Sequence, residues 1–555
     1  MRKLLVLCLG AALVLPGCVK VDNSLGKGLV DKSLLFDTYT VEFPLEEIQM
    51  KRSDGLSGYS DSHLTIGAIM DPIYGLTTRE AAFCLVPALD TLDFGTDPKA
   101  VDFTIYFEGD TVSCNRDDQA RILQNIYVTA LTEPIPSKHL SCTFPISHSD
   151  QLITKGLPVY NGSGALSFSF TQEYAQKYID ALKTIGPYLR SDDDELAIDD
   201  ELLYDEYLKL VPGIHIRTDV PGGVGGRINL FDFSSLEVSN NYYVRNSNVG
   251  LLKVNSTWDG VKKDSTFLFY PGEPAFVDEA DYLEQNAKFY QYCFNSCTHT
   301  KPASAATDVI YVEGGGGLKP VILARELQEK TSAEIARRGG TPENAIIIKA
   351  SIVLPFEMPS DYQALKYFPS VLSPTICKTA KDAETDEEYP TFAGLTDASV
   401  STENQGSIDR SNLVYSPDIT YHLQELMERA DLGTATDADI WLLTVHSEQV
   451  ANANGSMYDN SYYQNLLYAS YYNSLYGGGY GGYGYGGYGY GGYGGYGYSN
   501  YYNYMMLAQM MAASSQQTYS TTTELDINRY YQAILCGPQS ERKPIFRVTF
   551  AIPKD

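Results

Sequence analysis

Alternation of apolar and polar residues is the sequence feature that most constrains the fold of this chain. In residues 101–108 one face of an extended strand carries only apolar side chains, namely Val101, Phe103, Ile105 and Phe107. The opposite face carries Asp, Thr, Tyr and Glu, and residues 546–552 alternate in a similar way. Because successive side chains of a strand point to opposite faces, these runs predict antiparallel strands with one buried and one hydrated face.

Shorter runs predict further strands at residues 126–131, 167–170, 213–216, 227–233, 250–254, 265–270, 309–312, 345–354 and 440–445. Three helices are predicted: one capped by Thr171, one over most of residues 319–338, and one that begins near residue 416. The sequence therefore predicts a mainly β fold of β-sandwich or jelly-roll type, with a few helices and α+β character.

Chain length and the order of these blocks predict two β-rich domains. Residues 33–300 are the predicted N-terminal β-sandwich-like domain, and residues 301–555 are the predicted C-terminal domain. The latter contains a Gly/Tyr-rich mobile insertion at about residues 458–504, within which residues 476–498 are only Gly and Tyr. Because strands are predicted on both sides of it, this segment is an insertion and not a tail.

Two interpretations of the Gly/Tyr insertion remain open. Its repeat has no aliphatic side chain with which to build a core, so it predicts an exposed loop. Tyrosine rings stack and their hydroxyls form hydrogen bonds, so Tyr483 and Tyr488 are candidate contacts for a glycan or a neighbouring protein. The alternative is a repeat expansion that an exposed loop tolerates.

Two other glycine-rich runs invite comparison with phosphate-binding loops. Residues 221–226 are predicted to be a flexible hairpin loop between two strands. Residues 314–317 are predicted to be a tight strand-to-helix turn in which glycine supplies a positive φ. Neither run places a Lys-Ser or Lys-Thr pair at the spacing of a phosphate loop, so a turn is the preferred interpretation of both.

The N-terminus predicts export. Arg2 and Lys3 precede an apolar run of about a dozen residues, which is shorter than the roughly 20 residues that span a bilayer. Gly17-Cys18 closes the run and resembles a bacterial lipobox, in which the cysteine sulfur receives a diacylglycerol. We therefore predict a signal peptide at residues 1–17 and a lipidated tether at residues 18–32; an ordinary secretory signal is the alternative.

The formal net charge of −28 limits the partners of the chain. Nucleic-acid phosphates need Lys and Arg, so no nucleic-acid partner is expected. Electrostatic binding to anionic lipid headgroups is also disfavoured, because it too needs Lys and Arg. Membrane attachment would therefore come from acyl chains on Cys18, which bury apolar groups in the bilayer. In some lipoproteins an acidic run just after this cysteine directs the protein to the cell surface. Here only Asp22 lies near the cysteine, so the sequence does not decide between the surface and the periplasmic face of the outer membrane.

Seven cysteines remain after Cys8 and Cys18 are set aside. An odd number cannot all pair within the chain, so at most one or two bridges are expected. Cys293 and Cys297 lie near His299, but zinc sites need four ligands and the spacing matches no finger. Packed thiols or one local bridge are preferred. The acidic residues 192–201 lack the pattern of a calcium loop, and no metal or cofactor is predicted.

No Gly-x-Ser-x-Gly elbow and no HExxH motif occurs in the sequence. His422 is predicted to be a boundary residue of a helix, and His215 to face away from the core that Ile214 and Ile216 enter. Trp441 is predicted to be a core residue, whereas Trp258 is predicted to lie in a turn and is the candidate ligand contact. A pair of carboxylates for glycan hydrolysis cannot be selected among 69 acidic residues.

Several blocks, in the same order, resemble domain-of-unknown-function family 4270, whose members are lipoproteins of Bacteroidota envelopes. These blocks are Ile-Gly-Ala at residues 66–68 with Asp-Pro-Ile-Tyr-Gly at residues 71–75, and residues 101–110, 213–216 and 311–318. The resemblance covers the chain from about residue 33 onward and implies an envelope lipoprotein; it brings no activity, cofactor or catalytic residue. The Gly/Tyr insertion departs from the family pattern. Three short stretches resemble the O-glycosylation sequon of that phylum, with Thr91, Thr111 and Ser265 as acceptors.

Together these observations predict a non-catalytic outer-membrane lipoprotein of the cell envelope, attached to the membrane through its lipid anchor. It would bind or organise a glycan or a membrane-protein complex. One alternative is a carboxylate-dependent, glycan-active enzyme. Another is an accessory subunit of secretion or outer-membrane assembly.

Overall fold

The computed structural model describes residues 36–554 except residue 54 and residues 61–62, 88–92, 136–139, 187–199, 233–235, 240–241, 246–248, 273–287, 290–292, 382–385, 401–403, 430–431, 433–434, 452–518 and 526–529. The described chain is mainly β with several sheets and few helices, which confirms the predicted fold class. Four predicted site residues lie outside the described residues: Cys18, Thr91, Tyr483 and Tyr488.

The strands of the first half are β1 (Phe36–Pro44), β2 (Ile48–Arg52), β3 (Tyr59–Ser60), β4 (His63–Asp71), β5 (Gly75–Phe83), β6 (Leu85–Pro87), β7 (Thr96–Phe107), β8 (Gly109–Ser113), β9 (Gln124–Leu131), β10 (His148–Leu152), β11 (Val159–Tyr160), β12 (Leu166–Ser169), β13 (Ile214–Thr218), β14 (Gly225–Asp232), β15 (Leu236–Ser239), β16 (Tyr242–Arg245), β17 (Gly250–Trp258), β18 (Val261–Pro271), β19 (Lys288–Phe289) and β20 (Cys293–His299). Two helices lie among them, α1 (Gln172–Ile185) and α2 (Asp200–Leu210).

The strands of the second half are β21 (Ser304–Ala305), β22 (Val309–Glu313), β23 (Leu318–Ile322), β24 (Ile346–Pro355), β25 (Val371–Lys381), β26 (Glu388–Gly394), β27 (Ile408–Asp409), β28 (Val414–Tyr415), β29 (Ile440–Ala451), β30 (Tyr519–Leu525), β31 (Gln532–Cys536) and β32 (Ile545–Pro553). The helices are α3 (Ala324–Arg337), α4 (Thr396–Val400) and α5 (Thr420–Glu428).

Two sheets of the first half pack face to face as a sandwich. One has ten strands in the order β10-β9-β13-β5-β4-β14-β8, with β11 on β9, β20 on β5 and β3 on β20; the other has the order β12-β7-β17-β18-β6. Their apolar faces form one core. In it the ring centroid of Phe107 lies 5.6 Å from that of Phe83 and 6.0 Å from that of Phe231. Helix α1 buries its Tyr174 and Tyr178 stripe in the same core.

The alternation in β7 is confirmed for three of its four apolar residues and wrong for Val101. Phe103, Ile105 and Phe107 are fully buried, whereas Val101 is 49% exposed. The pairing of β7 with β17 shifts register next to Val101, so Ala100 takes the buried position instead. A β-bulge inserts one extra residue and thereby exchanges the two faces on one side of it.

The strands of the second half form a second sandwich. One sheet has the order β1-β32-β24-β28-β27, and the other has the order β21-β2-β23-β29-β25-β26, with β30 on β29. Helices α3 and α5 contribute Leu327 and Leu423 to the core between them. Strands β1 and β2 precede residue 54 in the chain and nevertheless pair with β32 and β23. Hydrogen-bonded pairing thus crosses the predicted domain boundary near residue 300.

Two predicted loop structures are wrong. Strands β13 and β14 do not form a hairpin, because β5 and β4 lie between them in the sheet; residues 221–224 therefore carry the chain across two strands. The turn at residues 314–317 leads into strand β23 and not directly into a helix, so helix α3 begins only at Ala324.

Other local predictions have mixed outcomes. Thr171 caps α1 by accepting a hydrogen bond from the Tyr174 amide, as predicted. Asp200 opens helix α2 at the end of the acidic run, where a loop was expected. Trp441 is only partly buried, with its ring 5.3 Å from that of Phe392. No helix of the described residues is long and apolar enough to cross a membrane.

Candidate functional site

A group of polar side chains is buried where the glycine turn at residues 314–317 meets strand β20. We call it the junction cluster; its members are Arg79, Cys297, His299, Glu313 and Lys319. Each of these side chains is at least nine-tenths buried. Charged groups are rarely buried this fully unless they are paired, so the cluster is the strongest candidate for a functional site in the described chain.

Strand pairing positions the members of the cluster. Cys297 and His299 lie two residues apart on β20 and therefore on the same face of that strand. The register of β20 with β5 sets Cys297 opposite Arg79 and His299 opposite Thr77. Glu313 is the last residue of β22, and the glycine turn returns the chain so that Lys319 follows in β23.

His299 stands at the centre of the cluster. Its Nε2 is 3.3 Å from Nη1 of Arg79, and its Nδ1 is 3.3 Å from Oε1 of Glu313 and 3.4 Å from Oγ1 of Thr77. A guanidinium only donates hydrogen bonds. This geometry therefore assigns Nε2 as the acceptor and Nδ1–H as the donor towards Glu313. The second Glu313 oxygen accepts the Leu318 amide at 3.3 Å.

Lys319 is enclosed by the carbonyl groups of the turn. Its ammonium donates to the carbonyl oxygens of Gly315 at 2.9 Å and Gly317 at 3.3 Å, and also to that of Glu313. The Ser53 hydroxyl donates to the Gly315 carbonyl at 2.9 Å. Gly315 has a φ of 61°, which glycine adopts at little cost. The turn thus aims its carbonyl groups at a buried cation, and no phosphate is needed to explain its glycines.

Gly316 lies against two sulfur atoms. A Cβ at this position would be 2.8 Å from Sγ of Cys142 and 2.9 Å from Sγ of Cys297. Any larger residue would therefore displace one of the two cysteines. Cys142 reaches this place through backbone pairing, because its carbonyl accepts the Cys297 amide at 2.7 Å.

The environment of Cys297 favours its thiolate. The hydrogen bond from the Cys142 thiol, and then the positive charge of Arg79, hold the pKa of Cys297 well below its usual range despite burial. A nucleophilic site often combines a cysteine, a histidine beside it and a carboxylate that orients the histidine. Here, however, Cys297 and His299 are almost completely buried. In the structure the cluster therefore packs the two sandwiches together, and the chemistry that it favours is that of the Cys297 thiol itself.

The sequence drew attention to Cys297 and His299 but not to their partners. Arg79, Glu313 and Cys142 come from separate parts of the chain, and pairing between distant strands brings them together. The only local signal was the glycine run between Glu313 and Lys319, which marks a close approach of backbone to other atoms.

The described residues include seven cysteines, all of them unbridged in the structure. Of the two alternatives preferred for Cys293 and Cys297, the local bridge is wrong, because the residues lie four positions apart on one strand, which separates them by about 13 Å; both are buried thiols. A disulfide requires Cα atoms within about 7 Å. Within the described residues no group of three or more His, Cys, Asp or Glu side chains could hold a metal ion.

A second polar group lies on the other face of β13. His215 faces away from Ile214 and Ile216, as predicted, and stacks on His148 with 4.0 Å between the ring centroids. Its Nε2 is 3.0 Å from a carboxylate oxygen of Glu80. Burial lowers the pKa of His215, although Glu80 opposes this effect.

Trp258 ends β17 and precedes the two-residue turn Asp259-Gly260, in which both residues have positive φ. Its indole N–H donates to Oγ of Ser256 at 2.7 Å, and the Lys263 ammonium lies 4.6 Å from its ring centroid. The ring is partly exposed. Its role as a ligand contact stays a prediction.

The two described acceptor candidates for O-glycosylation both lie on strands. Thr111 is exposed on β8, an edge strand of the ten-stranded sheet, whereas Ser265 is half-buried on β18. The structure thus offers Thr111 more freely to a modifying enzyme. Modification of either residue stays a prediction.

The two sequence blocks at residues 66–75 and 311–318 meet in space. Asp71 accepts hydrogen bonds from the amides of Ile73 at 2.7 Å and Tyr74 at 2.9 Å, which fixes the turn between β4 and β5. The Tyr74 ring then packs 5.7 Å from that of Tyr311. These motifs therefore form a joint between the sandwiches.

Comparisons of the chain with protein-family models, with curated proteins and with solved structures gave no match. The resemblance to family 4270 accordingly stays a prediction that depends on the motifs alone.

Proposed function

We propose that this protein is a non-catalytic lipoprotein of the outer membrane that binds or organises a membrane-protein complex. The observation that carries the proposal is the N-terminal segment, in which two basic residues, an apolar run and Gly17-Cys18 follow in the order of a lipoprotein signal. The strong negative charge adds support, because attachment through acyl chains does not depend on anionic headgroups.

An exposed apolar surface supports the choice of a protein partner. Large aliphatic side chains project from adjoining loops and strand ends at one end of the ten-stranded sheet; we call them the apolar rim, and they are Leu123, Leu157, Val159, Val220 and Val224. Each is between 42% and 72% exposed. Grouped exposed apolar side chains are typical of surfaces that contact proteins.

Backbone contacts bring the segments of the apolar rim together. Val159 pairs with Asn125, two residues after Leu123. The carbonyl oxygen of Asn125 also accepts a hydrogen bond from the amide of Asp219 at 3.3 Å, and Asp219 precedes Val220. Aliphatic side chains lack the flat rings on which sugars stack, so the rim favours a protein over a glycan.

The anchor is tested by replacing one cysteine. Cys18→Ala should move the protein from the membrane fraction to the soluble fraction after cells are broken. Cys8→Ala, within the same predicted signal peptide, is the matched control and should leave the protein in the membrane fraction. Sedimentation of the Cys18→Ala protein with outer membranes would contradict lipid anchoring.

The partner is tested by cross-linking in intact envelopes, followed by purification in mild detergent. A variant with Leu123→Lys and Val220→Lys should lose a membrane protein that wild type retains. Val261→Lys changes an aliphatic residue of similar exposure at a different hairpin and should retain it. Loss in both variants, or in neither, would contradict a role of the rim.

A glycan array with the same proteins tests the glycan alternative, and deletion of residues 476–498 tests the Gly/Tyr insertion. A partner lost only on that deletion would transfer the binding role from the rim to the insertion. Binding to defined glycans that depends on Trp258 would favour the glycan alternative.

A further inference from the structure

Cys142 and Cys297 have the relative placement of a disulfide pair. Both sulfur atoms lie within 2.9 Å of the one point where a Gly316 Cβ would be. The Cys297 amide donates to the Cys142 carbonyl at 2.7 Å. With standard bond lengths, that contact limits the two Cα atoms to a separation of about 6.6 Å. Disulfides span Cα separations of about 4.4–6.8 Å.

We propose that Cys142 and Cys297 form a disulfide bond in the mature protein, which links the segment around residue 142 to strand β20. The bond has not formed in the structure, where both residues are thiols. The inference concerns the chemistry of this pair and depends on export only for the oxidising surroundings in which such bonds persist.

The other cysteines have different neighbours. The Cys84 thiol faces the carbonyl oxygens of Leu85 and Val211, each at 3.8 Å. The Cys293 thiol faces the His63 carbonyl at 3.4 Å, and the Cys536 thiol faces Oε1 of Glu357 at 3.7 Å. One bridge between Cys142 and Cys297 leaves five thiols, which agrees with the odd number of cysteines.

The bond forms by two exchange steps with an external disulfide, either a small molecule or a protein oxidant. The Cys297 thiolate, favoured by the hydrogen bond from Cys142 and by the charge of Arg79, attacks one sulfur of the oxidant and releases the other as a thiolate. Cys142, after it loses its proton, attacks the Cys297 sulfur of the mixed disulfide and releases the second thiolate. Two electrons pass to the oxidant, and the two thiol protons pass to water or to the released thiolates.

Because both thiols are buried, an external oxidant reaches them only while this part of the chain is not closed. Cys142 and Cys297 are at most 4% exposed in the folded chain, so exchange takes place during folding or during opening of the junction. The groups that favour the thiolate also stabilise the reduced form. They therefore make this bond easier to reduce than a bond between ordinary buried thiols.

The test is peptide mapping of the full mature protein. The protein is purified from envelopes in the presence of an alkylating reagent, digested without reduction and analysed by mass spectrometry. A second sample is unfolded in reductant and refolded with oxidised and reduced glutathione. We expect a peptide that joins Cys142 to Cys297 in both samples, with the other five cysteines alkylated.

Two results would overturn the proposal: alkylation of both Cys142 and Cys297 in the refolded sample, or a bridge between other cysteines. A bridge in the refolded sample alone would retain the pairing and contradict export to an oxidising compartment, so the two failures are distinguishable.

Thermal unfolding provides a measurement on variants. Dithiothreitol should lower the Tm of wild type and of Cys293→Ser by about 5–15 °C, as expected for a bridge that closes a long loop. A Cys142→Ala/Cys297→Ala double variant should show no shift with dithiothreitol. An equal shift in the double variant would assign the effect to another bond and contradict the proposal.

Discussion

At the scale of single residues, Lys319 shows how a buried charge is accommodated in this protein. Its side chain is fully buried, and carbonyl oxygens of the glycine turn accept its hydrogen bonds. Removal of the ammonium would take one donor from each of these carbonyl groups and leave only Ser53 on those of Gly315 and Gly317, and lost hydrogen bonds at buried acceptors are costly. The lysine therefore stabilises the turn as much as the turn stabilises the lysine.

We predict that Lys319→Met lowers the free energy of unfolding by about 3 kcal/mol. Lys349→Met, at an exposed position of β24, is the matched control and should change it by less than about 0.5 kcal/mol. Urea unfolding followed by circular dichroism measures both values. Equal stability of the two variants would contradict a stabilising role of the Lys319 ammonium.

His422 provides a pH-dependent contribution to stability. It is buried in α5, where its Nε2 lies 3.0 Å from the Ala438 carbonyl, and burial lowers its pKa to about 4. In the unfolded chain a histidine binds its proton near pH 6.5. Between these two values the unfolded state holds more protons, so acidification favours unfolding.

We therefore predict that wild type loses about 3 kcal/mol of stability through His422 as the pH falls from 7 to 4. His422→Gln should lack this contribution, so the difference in stability between the two proteins should shrink as the pH falls. Urea unfolding at several pH values measures this difference. Parallel pH profiles would contradict the assignment.

At the scale of elements, the glycine turn at residues 314–317 is a tightly constrained connection. Gly316→Ala would force a methyl group between the Cys142 and Cys297 sulfurs. We expect it to lower the free energy of unfolding by about 1–3 kcal/mol, the usual range for overpacking. Gly156 has open space around it, so Gly156→Ala is the control and should be close to neutral.

Strands with regular alternation were predictable from sequence, whereas irregular ones were not. The bulge at Val101 arises from pairing with β17, which a single strand does not encode. Residues 319–322 were predicted within a helix but lie in strand β23, whose five residues are all buried, and a strand buried on both faces shows no alternation in sequence. The capped helix α1 was predicted correctly because its cap, its apolar stripe and its end are local signals.

The candidate site was less predictable than the elements. The junction cluster joins residues as far apart as Arg79 and Lys319, and strand pairing determines their contacts. Its polar members also look unremarkable in sequence, because neither their burial nor their partners follow from local composition.

At the scale of the whole molecule, the first and the last strands of the described residues belong to one sandwich. Strand β1 pairs along nine residues with β32, and β2 buries Ile48 and Met50 in the second core. We predict that residues 301–554 alone do not unfold cooperatively. Addition of a peptide that covers residues 33–53 should restore a sigmoidal thermal transition, and cooperative unfolding without it would contradict this prediction.

We propose that acyl chains on Cys18 hold this β-rich molecule at the outer membrane. Mass spectrometry of the N-terminal peptide of the protein purified from envelopes tests this proposal without relying on a partner or a variant. We expect a peptide that begins at Cys18 and carries a diacylglycerol in thioether linkage to its sulfur. A peptide that begins at any other residue, or at Cys18 with a free thiol, would contradict it.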